Sequence, residues 1–411
     1  MSELSEGAAM LADMPRGRRA ATIFVFFTVL LDIVALGVII PVFPNLLKSF
    51  LDGDVSRATE IYGVFMTIWA AMQFVFAPVL GALSDRFGRR PVILLSNLGL
   101  GLDYVLMAMA PTLTWLFVGR VISGITAASF TTAGAYIADV TPPEKRAQAF
   151  GMLGAAFGVG FVLGPAMGGV LGGVDPRLPF WVAAGLSLAN ACYGVFVLPE
   201  SLPKRLRSPF TWAKANPIGS LSLLRRSKRL SSLALVTFVA SLAHVVLPAV
   251  FVLYAGFRYG WGEREVGLTL AAVGVFAMIV QAGLVQPIVS RIGERGAMML
   301  GLVFGAAGFV VYGLASTGMW FLLGIPVMSI WGISGPAAQG LMTREVGADE
   351  QGRLQGASSS LMGLAELIGP AVFTFTFASM MTRLPGAPFL LAAGLLLVAA
   401  VMASFVTREH T

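Results

Sequence analysis

The sequence predicts an all-α integral membrane protein of about twelve transmembrane helices in two pseudo-symmetric six-helix bundles. Composition is the first observation: 57% of the 411 residues are hydrophobic and 12% are charged, against roughly 25% charged in soluble domains. So few polar side chains cannot solvate a globule of this length. The second is a series of apolar stretches, each able to cross a hydrocarbon core of ~30 Å as a helix. The third is a likeness between the two halves of the chain.

In order, the stretches run over 20–47, 60–82, 90–110, 114–138, 146–172 and 178–198, then 230–256, 266–289, 296–315, 319–342, 354–381 and 387–406. Met1 to Gly17 is polar, and the first stretch is too long for the apolar region of a cleaved signal, so it reads as a retained span. The 48 glycines and 22 prolines suit helices that approach closely and re-satisfy one another's freed backbone groups. Cys192 is the single cysteine, so no intramolecular disulfide can form. With the N-terminus in the cytoplasm, 21 of the 28 Lys and Arg fall in inside segments and 6 outside, leaving Arg120 within a span. That asymmetry sets the orientation, with both termini cytoplasmic. It also accounts for the net charge of +7 without a nucleic-acid partner.

The 199–229 loop is the longest and holds eight Lys and Arg. It reads as a basic cytoplasmic linker on the lipid headgroups, between an N-terminal bundle (1–198) and a C-terminal one (230–411). The bundles match at four places. Pro41 recurs as Pro248, Arg86 and Gly88 as Arg291 and Gly293, Arg146 and Gln148 as Arg353 and Gln355, and Gly164-Pro165 as Gly369-Pro370. The offsets are 207, 205, 207 and 205, which argues for duplication. Parallel repeats with the substrate site between them are a transporter architecture.

The loop after the second span reads Gly81-Ala-Leu-Ser-Asp85-Arg86-Phe-Gly88-Arg89-Arg90. Gly81 allows close helix approach, Gly88 a tight turn, and Asp85 a charge partner for the arginines, together a latch that can hold one conformation and release another. The alternative is an ordinary positive-inside loop. This stretch resembles the signature loop of the major facilitator superfamily. In the fifth span, Gly160, Gly164 and Gly168 recur every four residues beside Pro165 and Gly169. They form a smooth face for a neighbouring helix, with a proline that permits a bend. This run is similar to the glycine-rich motif of the superfamily's proton-driven exporters.

Further residues narrow the likeness. Leu31-Asp32, Gly37, Pro41, Pro44, Asp103-Tyr104, Gly119-Arg120, Gly124, Gln73, Pro78, Gln281, Pro336, Gln339 and Gly352-Arg353 resemble the tetracycline/proton antiporters. Those exporters carry an acid in span nine, where the stretch Met299 to Gly305 here has glycine.

Charges inside spans are costly and therefore functional candidates. Asp32 and Glu366 each stand near mid-membrane and are the candidate proton-coupling carboxylates, in that order. Asp103 and Arg120 flank the turn between spans three and four and are expected to pair across it, in a role divided between coupling and fold. Gln73, Gln281, Gln339, Asn190 and His244 are candidate substrate contacts, with interhelical hydrogen bonding the plainer reading. There is no phosphate-binding glycine loop and no metal-ligand cluster, so no enzyme activity, cofactor or metal is expected, and energy comes from an ion gradient.

The resemblance implies a proton-driven antiporter in a bacterial inner membrane, exporting a small amphipathic compound or drug by alternating access, tetracycline-like cargo included. The chain is expected to act as a monomer, with cargo, protons and lipid as its partners. A uniporter or symporter of a cellular metabolite or lipid is the alternative on the same fold; a receptor or scaffold is more remote.

Overall fold

The computed structural model describes residues 16–126, 129–141, 146–212, 216, 219–347 and 350–406. The polar segment through Pro15, together with Lys145, Lys214 and Arg408 from the charge asymmetry, lies outside them. The helices are α1 (Arg16–Ile39, resumed as Phe43–Ser49), α2 (Val55–Phe87), α3 (Arg89–Met109), α4 (Leu113–Thr126 and Ser129–Val140), α5 (Arg146–Gly172) and α6 (Leu178–Val197). The second series is α7 (Lys228–His244 and Val246–Tyr259), α8 (from Glu263) and α9 (to Leu314), α10 (Gly318–Ser329, then Ser334–Thr343), α11 (Gln351–Met380) and α12 (Ala387–Val406).

Among the described residues, ten helical segments are long and apolar enough to cross a membrane. One of them, Glu263–Leu314, has 52 residues, or ~78 Å at 1.5 Å per residue, and is interrupted at Gly293. It therefore supplies two passes, α8 and α9. Leu113–Thr126 is a shorter apolar helix, and Ser129–Val140 is counted with it as the second part of α4. The result is the predicted twelve spans.

Prolines place the irregularities. Proline lacks the N–H that would bond the carbonyl four residues back. Pro41 sits in the break of α1, where Ile40 N donates to Gly37 O instead. Pro248 follows the break of α7 at Val245 by three residues. A π-helical turn, Val280–Leu284, precedes Pro287 in α8, and a 3-10 turn, Ile330–Ile333, precedes Pro336 in α10. The duplication is visible in the backbone as well. Gly88 between α2 and α3 has φ 108°, and its repeat mate Gly293 between α8 and α9 has φ 71°, a region closed to most side chains.

The described chain forms two compact units, residues 1–42 with 75–216 and residues 43–74 with 217–411. In the first, α5 lies on α1 along the predicted glycine face. A Cβ on Gly164 would stand 2.8 Å from the Gly37 Cα, and one on Gly168 would strike the Val38 carbonyl. In the second, residues 43–74 are tied in by Asn45 Nδ2 donating to Glu263 Oε1 (3.0 Å) and Tyr62 Oη donating to Pro248 O (2.9 Å).

Candidate transport site

The interior of the first unit holds the buried charges. Asp32 of α1 is 5% exposed and Asn190 of α6 only 1%. Asn190 Nδ2 donates to Asp32 Oδ1 (3.2 Å) and to Thr28 O (3.3 Å), while Thr28 Oγ1 donates to Asn190 Oδ1 (3.1 Å). Asn190 thus orients the carboxylate from the next helix, which is the interhelical role of such amides.

Asp103 of α3 is 1% exposed, and neither of its oxygens has a hydrogen-bond partner among the described residues. The direct pair expected with Arg120 does not form. Arg120 Nη2 points to Met107 Sδ at 3.4 Å, and its charge acts on Asp103 through space. Geometry explains the arrangement: the Asp103 carboxylate lies over Gly119, where a Cβ would stand 2.9 Å from Oδ1 and 2.6 Å from Met107 Cγ. The side chains of Asp103 and Met107 thus fill the space above Gly119. Tyr104 of the same helix is buried with Asp32, Asp103 and Arg120 in the interior of the first unit. A buried carboxylate without hydrogen bonds is costly unless a proton, a water or a cation completes it.

The predicted latch residues lie at the end of α2 and the start of α3. Asp85 pairs with Arg89 (Oδ1 to Nη1, 2.6 Å). Arg89 also reaches Asp139 of α4 (3.2 Å), its Nη1 donates to Ser84 Oγ (2.6 Å), and its backbone N–H donates to Glu200 Oε1 (2.9 Å). Arg90 donates to Val195 O at 2.6 Å, and Arg86 lies over the Phe87 ring at 5.1 Å. Gly88 is required by more than its φ, because a Cβ there would strike Glu200. Gly81 departs from expectation: no described atom lies within 4 Å of where its Cβ would stand, so the close approach is not made in this structure. Asp139 and Glu200 were missed by sequence reasoning because each reads as an ordinary loop-end acid; only folding brings them to Arg89.

In the second unit the spacing of 205 that relates Gly88 to Gly293 also relates Arg89 to Glu294 and Asp139 to Arg344. Arg344 Nη2 lies 2.9 Å from Glu294 Oε1. The same contact is therefore made twice, with its charges exchanged. Among the candidate substrate contacts, Gln281 sits in the π turn and donates to Gly332 O (3.2 Å), the carbonyl that Pro336 deprives of its helical donor. Gln339 donates to Gln355 Oε1 at 3.2 Å and accepts from Ser358 at 3.5 Å. Gln73 is half-buried in α2. The His244 ring lies 5.4 Å from Trp331.

In the glycine-bearing stretch of α9, a Cβ on Gly305 would stand 2.7 Å from Trp331 Cγ and one on Gly301 2.8 Å from Ser334 Cβ. Glu366 is half-buried in α11 and makes no hydrogen bond or ion pair to a described residue. No cluster of metal-ligating side chains occurs among the described residues.

Twelve spans in duplicated halves, with a buried acid near mid-span, define a secondary transporter. The chain belongs to the Major Facilitator Superfamily, whose family model matches residues 25–370. It is 40% identical to the class C tetracycline resistance protein of Escherichia coli, over 92% of this chain and 95% of that one. It is 37% identical to the class G tetracycline resistance protein of Vibrio anguillarum, over 88% and 91%. Among solved structures, its fold is similar to that of the nucleoside transporter NupG, with a TM-score of 0.78 at 12% identity over 94% of this chain and all of that one.

Proposed function

We propose that this protein is a proton-driven antiporter that exports a small amphipathic compound of the tetracycline kind. It works by alternating access of the halves 1–198 and 230–411, as a monomer in the bacterial inner membrane with both termini cytoplasmic. The observation that carries this is Asp32, a buried carboxylate at mid-span oriented by Asn190, in a chain 40% identical to a tetracycline resistance protein. Asp32 holds either a proton or the cargo. A proton entering from outside displaces the bound molecule, and the competition couples the two flows. No bond in the cargo is made or broken. Asp103 and Arg120 set the field in which Asp32 exchanges its proton, and the Arg89 network is the latch that opens and closes with each cycle.

Glu366 acts as the second-half acid in place of the span-nine carboxylate of the tetracycline exporters. Everted vesicles that have acidified their interior test the reading. Adding tetracycline should release the pH gradient in vesicles carrying the wild-type chain and not in those carrying Asp32→Asn. A gradient unmoved by tetracycline and by other amphipathic cations would defeat the antiport reading and favour uniport on the same fold.

A further inference from the structure

The second unit carries a groove, with a volume of 320 Å³, that no step of the transport cycle uses. It lies between the 3-10 turn Gly219–Arg225 of the linker, the start of α7 and the first half of α11. Leu221 and Leu224 form one wall, Leu235 and Phe238 the second, and Leu361 and Leu364 the third. The groove is built rather than incidental. Ser231 Oγ of α7 donates to Leu224 O at 2.6 Å, holding the linker turn against the span, and Ser227 caps α7 by accepting from Leu230 N.

Arg225 lines the groove, and the basic residues that follow it into the start of α7 divide into two kinds. Arg226 is paired with Glu350, and Arg229 with Glu345. Arg225, which lines the groove, and Lys228 are exposed and have no acidic partner among the described residues. From Lys228 to Phe238 the helix rises ~15 Å, which is the depth of one leaflet of a ~30 Å hydrocarbon core. A slot that is apolar for one leaflet and lined by a cation at Arg225 matches a lipid with one buried chain and an anionic head.

We propose that this groove binds an acidic glycerophospholipid of the cytoplasmic leaflet, with one acyl chain along α7 and α11 and the phosphate at Arg225 and Lys228. The full chain would be released from nanodiscs containing equal parts phosphatidylglycerol and phosphatidylethanolamine and read by native mass spectrometry. Wild type should retain phosphatidylglycerol in preference. Arg225→Ala and Lys228→Ala should each weaken retention by about fivefold, the effect of one charge near an anionic headgroup. Leu235→Trp should abolish it by filling the slot. Leu361→Trp blocks the groove from the opposite wall, so poor folding of one variant leaves the other as the test. Retention unchanged in all four variants, or phosphatidylethanolamine held as firmly as phosphatidylglycerol by wild type, would overturn the proposal. So would a Leu235→Trp protein that keeps the lipid and loses tetracycline binding, because the groove would then belong to the cargo.

Discussion

Asp32 sits where one proton changes the whole balance of a polar cluster, and its replacement has a sharp consequence. Asp32→Asn keeps the size and the hydrogen-bonding partner at Asn190 but cannot change charge. Reconstituted protein should insert and fold normally while showing no flux driven by an imposed pH gradient; undiminished flux would remove Asp32 from the mechanism. Asp103 and Arg120 are coupled through space. Arg120→Ala takes the nearby guanidinium from a carboxyl that is 1% exposed, Asp103→Asn takes the carboxyl from the guanidinium, and neighbouring groups of this kind couple by about 0.5–3 kcal/mol. The double change Asp103→Asn with Arg120→Ala should therefore cost much less stability in detergent than the sum of the single changes. Glu366→Gln mimics the protonated acid, so it should abolish export of cationic cargo and flatten its pH dependence. Unaltered transport would reduce Glu366 to a packing residue.

Helices meet where side chains are absent, and the glycines rank by what surrounds them. Gly88 and Gly293 both have positive φ, but only Gly88 is crowded, by Glu200 and Arg207. Gly293→Ala should thus carry conformational strain alone, about 1–3 kcal/mol for the positive-φ, extended-ψ backbone at that position. Gly88→Ala should be worse, because it also pushes Glu200 off the Arg89 amide. Thermal unfolding of the two variants in the same detergent compares them directly; equal losses would mean that the Glu200 contact contributes nothing. The predicted glycine face of α5 proved to be a surface for α1. The sequence shows the stripe, but not which helix it meets.

At the scale of the molecule, duplication has preserved a contact while exchanging its charges. Exchange at the second copy, Glu294→Arg with Arg344→Glu, restores an ion pair in place and should recover the stability and transport that either single change loses. The same exchange at Arg89 and Asp139 should recover little. A glutamate at 89 would face Asp85, which now lies 2.6 Å from the arginine, and Ser290, its mate in the repeat, carries no charge. Equal rescue at both copies would show that Asp85 is not part of the latch.

The twelve spans, the duplication and the four intramembrane charges were legible in the sequence, because each is a pattern along the chain: apolar length, a repeated spacing, a charge where hydrocarbon forbids one. Partnership was not legible, since it depends on which helices become neighbours. Folding alone decided that Asn190 serves Asp32 and that Asp103 lies over Gly119 without touching Arg120. It also decided that Gln281 answers a carbonyl freed by Pro336, and that Trp331 stands against Gly305. Hydrophobicity acts on every residue regardless of its neighbours and so can be read in order. Hydrogen bonds and ion pairs act over a few ångströms, and only the packed chain sets those distances.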